Sequence, residues 1–76
     1  MNSIHRHLSE QTAFEPEAMA AMSRAFDEAC IALHVFAGDQ RGREAVATRI
    51  IDLAGRGVVD ANALRDRVLA EAKAAA

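Results

Sequence analysis

The chain has 76 residues, a net charge of −2 and one cysteine, with 51% apolar residues but only 4% aromatic ones. This length accommodates one domain, excludes an intrachain disulfide, and leaves a core so small that such chains commonly lean on a partner. The charge gives no overall attraction to nucleic acid or acidic membranes, and no apolar run approaches the roughly 18 residues of a membrane span.

Residues 1–13 form a polar lead in which Ile4 and Leu8 are the large apolar residues after Met1, four apart. The expectation is a flexible or weakly helical tail, too short to hold a helix alone. It has no signal-peptide pattern, which makes the cytoplasm the expected location. His5 and His7 fall on different sides of a helix and belong to no zinc-type spacing, so no metal site is expected.

Phe14 to Gly38 reads as the longest helix, spanning about 16–37. Pro16 suits the first helical position and biases Glu15 toward extended cap geometry. Gly38 supplies the expected left-handed stop. Met19, Met22, Phe26, Ala29, Leu33 and Phe36 recur at three and four, the spacing of one core-facing stripe. Ile31 and Val35 fall opposite it, beside Glu17, Arg24 and Glu28. A second apolar face on so small a domain points to self-association. Ile31, Val35 and Phe36, with Ile4 and Leu8 of the tail, are the expected interface of a homodimer.

Asp39 caps a second helix, about 40–56, whose stripe is Val46, Ile50 and Leu53. Gly57 closes it in a Schellman turn that lets Val58 pack back on Leu53. Asp60 caps a third helix, about 61–74, carrying Leu64 and Val68, with Val59 placed to staple against Leu64. The fold class expected is all-α, with residues 14–76 as a single three-helix bundle-like domain. The core expected is Met19, Met22, Phe26, Leu33, Val46, Ile50, Leu53, Leu64 and Val68.

Little in the sequence resembles a catalytic or cofactor site. Cys30 and His34 are spaced like a nucleophile and base on one helix, yet both lie in or beside the core stripe, without a loop or oxyanion donors. Asp27 and Glu28 are adjacent acids on an expected exposed face, without the burial that a catalytic acid or base needs. The run Gly38-Asp39-Gln40-Arg41-Gly42-Arg43 lacks the Lys-Ser/Thr ending of a phosphate loop. A non-enzyme without cofactor or metal is the expectation. Arg41 and Arg43, in the first turn of the second helix, are the candidate contacts for an anion or a partner carboxylate.

The chain halves differ in charge. Residues 1–38 hold two Arg against five acids, while residues 39–76 hold seven Arg or Lys against six acids. Two basic helices joined by a short glycine-containing turn give the alternative reading, a helix-turn-helix-like DNA-binding regulator. Asp66 stands among the first exposed positions of the third helix and would repel phosphate, so nucleic acid is the disfavoured partner. A ligand carrier lined by Met19 and Met22 is a third class, motivated by their soft side chains alone.

The segments Phe14-Glu15-Pro16-Glu17, Ala25-Phe26-Asp27-Glu28-Ala29 and Ala47-Thr48-Arg49-Ile50-Ile51-Asp52-Leu53-Ala54 resemble short, uncharacterised helical proteins of alphaproteobacteria such as rhizobia. The likeness covers about residues 14–70 and rests on helix caps and core positions. It implies a bacterial cytoplasmic setting and carries over no functional residues.

Overall fold

A computed structural model describes residues 14–75. They form three helices that all pack on one another: α1 (Pro16–Ala32), α2 (Gln40–Gly55) and α3 (Ala61–Ala75). The architecture is an all-α three-helix bundle. The expected tail, with Ile4 and Leu8, lies outside the described residues.

The starts of the helices follow local chemistry. Glu15 takes extended backbone angles (φ −65°, ψ 153°) ahead of Pro16, and its carbonyl accepts the Met19 N–H at 2.9 Å. The Glu15 side chain makes no cap bond; the proline supplies the start instead, because its fixed φ already suits a helix. Asp39 accepts the Gly42 N–H at 2.9 Å, and Asp60 accepts the Ala63 N–H at 3.0 Å. Each carboxylate satisfies an N–H that the helix itself leaves unpaired.

The end of α1 differs from the sequence expectation. The helix stops at Ala32 rather than near Ala37, and Gly38 plays no part in stopping it. His34 takes the left-handed conformation (φ 59°). The Val35 N–H then reaches back to the Cys30 carbonyl at 2.8 Å, and the His34 N–H to Ile31 at 3.1 Å. This is a Schellman turn with histidine where glycine is usual. Continued as a helix, Val35 would stand beside Ile31 in water; the turn instead packs Val35 on the core. Gly42 makes room for it. A Cβ there would meet Val35 Cγ1 at 3.0 Å and the capping Asp39 Oδ2 at 2.5 Å.

The end of α2 repeats the device as the sequence predicts. Gly57 (φ 103°) sends the Val58 N–H back to the Leu53 carbonyl at 3.0 Å, and Val58 packs on the core. The two left-handed positions respond oppositely to substitution. His34→Gly is expected to raise stability by about 0.5–1 kcal/mol, the relief of left-handed strain less glycine's extra unfolded entropy. Gly57→Ala is expected to lower it by about 1–2 kcal/mol. Thermal melts followed by circular dichroism check both.

The buried core consists of Ala25, Ala29 and Cys30 from α1, Val46, Ile50, Leu53 and Ala54 from α2, and Leu64 and Val68 from α3. Met22, Phe26 and Leu33 pack against it half-buried. Met19, expected inside, is 56% exposed. The buried line of α1 runs through the alanines, and Met19 stands at its margin. Small side chains on α1 leave the interior volume to Ile50, Leu53 and Leu64, the largest fully buried residues. Val59, placed by sequence to staple against Leu64, remains largely exposed.

Candidate functional site

The arginines account for most of the polar organisation. Arg49 on α2 grips Glu71 on α3 with two parallel bonds, Nε to Oε1 and Nη2 to Oε2, and also donates to Asp52 at 2.8 Å. Asp52 is within 3.3 Å of Arg56 as well. On the other side of the bundle Arg65 of α3 bonds Glu28 of α1 at 2.7 Å, and Glu28 also accepts from Arg24 at 3.0 Å. The forked geometry of the Arg49–Glu71 clip gives it orientation as well as charge attraction, while Arg65 meets Glu28 through a single bond. Sequence reasoning missed both clips. Their partners lie 22 and 37 residues apart, beyond any local spacing rule.

These contacts set the acid response. Hydrogen bonds from Arg24 and then Arg65 hold the Glu28 carboxyl below its ordinary value, and the bond from Arg49 does the same to Glu71. A carboxyl whose pKa is lower when folded adds stability above its unfolded pKa and loses it as pH falls through the folded one. The melting temperature is therefore expected to hold from neutrality to about pH 5 and to fall below about pH 4.5. In Glu71→Gln the acid-induced drop is shallower; an unchanged drop would assign it to other carboxyls.

Of the two arginines marked by sequence as anion contacts, Arg41 is exposed and Arg43 is half-buried. The Arg43 guanidinium sits 4.9 Å from the centroid of the Phe26 ring, a cation–π contact that also covers the aromatic edge of the core. At the start of α2 the Asp39 carboxylate already takes the Gly42 N–H. Arg43 is thus committed to the Phe26 ring, and the helix end holds its own anion. Arg43, Arg49, Arg56 and Arg65 are all engaged within the bundle, which reduces the outward positive field that helix-turn-helix binding of DNA needs.

The catalytic pairings of the sequence do not assemble. Cys30 is buried, and burial raises its thiol pKa, disfavouring the thiolate that attacks or ligates. His34 is exposed in the turn beyond α1. Glu28 is held by its two arginines. Among the described residues no group of three His, Cys, Asp or Glu is placed to hold a metal ion, and no helix is long and apolar enough to cross a membrane.

Exposed apolar residues are the more distinctive surface feature. Ile31 is 75% and Phe36 is 74% exposed, both at the C-terminal end of α1 and its following turn. Val35, expected beside them, is turned inward onto the core. The remaining interface positions, Ile4 and Leu8, lie outside the described residues. A groove of about 250 Å³ opens between α2 and α3, lined by Leu33, Val46, Arg49, Val68, Glu71 and Ala72. A second hollow, of about 370 Å³, lies at the other end, where Phe14, Ala18 and Val59 meet Glu15 and Glu17. The chain matches no protein-family model, no curated protein and no solved structure.

Proposed function

We propose that this protein is a small, non-enzymatic helical association module that acts by pairing with a second copy of itself. The observation that carries the reading is the pair of large apolar side chains, Ile31 and Phe36, left three-quarters exposed at one end of a domain with a small core. Isolated exposed apolar residues are ordinary on protein surfaces. Two at three-quarters exposure within five residues, in a segment whose Leu33 lines an apolar groove, favour a contact that removes them from water. A bacterial cytoplasmic setting accompanies the proposal and rests on the resemblance of the helix caps and core positions.

The test is the concentration dependence of the melting temperature, followed by circular dichroism on the full chain. An associating module melts higher as its concentration rises, because binding stabilises the folded form by mass action. A melting temperature that stays constant across a hundredfold range would leave the bundle a monomer and sink the reading.

A further inference from the structure

We propose that Phe36 of one protomer seats in the α2–α3 groove of a second copy, and that the exchange is reciprocal, giving a two-fold dimer. The inference rests on the association reading above and names the surface that carries it. The same protomer holds both a projecting aromatic knob and an apolar hole. Phe36 is 74% exposed, so within one protomer the ring does not fill its own groove. The groove is apolar over most of its lining, with Leu33, Val46, Val68 and Ala72 along its walls. The groove, about 250 Å³ and open to solvent along one side, has room for a phenyl side chain to lie against its apolar walls.

Charge selects the same occupant. The two charged residues of the lining, Arg49 and Glu71, are bonded to each other through two parallel contacts. Their charges offset one another at the rim, so the groove offers an incoming charged group no compensating partner, whereas an uncharged ring leaves that pair intact.

Position favours a second copy over an unrelated partner. Leu33 belongs to the groove, and Phe36 follows it by three residues. Knob and hole therefore sit at the same end of the bundle, and a two-fold axis at that end brings each knob to the other's hole. An isologous interface needs this self-complementarity. A buried aromatic contributes about 150–250 Å², so two rings and their grooves form the centre of a small, concentration-dependent interface.

Sedimentation equilibrium of the full chain, from low micromolar to near-millimolar concentration, reads the proposal. The wild type is expected to pass from 8.2 kDa to about twice that mass. Phe36→Ala is expected to weaken the dimer by about thirtyfold or more, as loss of a central aromatic anchor does. Ala72→Leu, which fills the groove from within, is expected to act in the same direction, while Ile51→Ala on the other flank of α2 leaves the dimer unchanged. Circular dichroism of each variant at dilution confirms that the monomer still folds. Isotope-filtered NMR of a mixed labelled and unlabelled wild-type sample then reads the contact directly, as transfer between the Phe36 ring and the Val46 and Val68 methyls of different chains. A wild-type dimer that Phe36→Ala leaves intact, or one whose ring contacts are all within one chain, would overturn this interface while the association reading stands. A wild type that stays monomeric throughout would overturn both.

Discussion

Leu64→Ala is expected to cost the domain a large share of its stability and to lower its melting temperature markedly. Leu64 is fully buried on α3, and with Ile50 and Leu53 it makes up the large side chains completely removed from solvent. Truncating a buried leucine to alanine costs about 2–5 kcal/mol, the lost transfer energy plus the cavity left behind. At about 0.05–0.15 kcal/mol per residue, the 62 described residues have roughly 3–9 kcal/mol of stability to lose. The variant therefore gives up about a fifth of that stability at the least, and at the upper end of the range more than half. A drop in melting temperature of about 8 °C or more, at about 4–8 °C per kcal/mol, is the expected readout. A drop of only a few degrees would mean that α3 is not essential to the core.

Ala29→Leu tests the opposite failure. Ala29 is 0% exposed and lies with Ala25 on the line of α1 that meets the other helices. Leucine has nearly the helix propensity of alanine, so local preference is little changed and the effect is steric. Three added carbons in a filled interior push α1 outward or force strained rotamers, at about 1–3 kcal/mol or more. Ala20→Leu, on an exposed position of the same helix, is the control and is expected to be close to neutral. Comparable losses in both variants would show that the alanine line is not a close-packed seam.

Several features of the fold are legible in the sequence because their physics is local. Pro16, Asp39, Asp60 and Gly57 each act on backbone groups within four residues, and each acts as its residue type predicts. The cores of α2 and α3 follow from periodicity, since Val46, Ile50, Leu53, Leu64 and Val68 are the large apolar residues at the right spacing. On α1 the same rule misleads. The spacing picks out Ala29 but also Met19, which is exposed, and it passes over Ala25, whose methyl group is too common a feature of this chain to stand out.

The end of α1 was not legible for a different reason. Gly38 is the better local stop, and a left-handed histidine is unfavourable taken alone. The cost at His34 is offset by a tertiary gain, the packing of Val35 against the core and over Gly42. No local rule weighs that exchange. The site was half legible. The sequence places Ile31 on the outer face, where it is found, but it sets Phe36 on the core-facing stripe as well as at the interface, assigns Val35 to the outer face, and gives no sign of the groove, whose walls come from α2, α3 and Leu33 just beyond α1.

The two ends of the α1–α2 connection have a consequence for recognition. Leu33, His34 and Val35 are tied to the end of α1 by backbone bonds, and Asp39 is tied to α2 as its cap, with its own N–H bonded to the Phe36 carbonyl at 2.9 Å. Only Phe36, Ala37 and Gly38 remain between the two anchors. The exposed ring is thus carried on a three-residue arch rather than a loose loop, and its backbone is held before any partner arrives. Ordering a binding segment beforehand removes much of the entropy that association otherwise costs. A single aromatic held in this way can bind more tightly than its contact area alone implies.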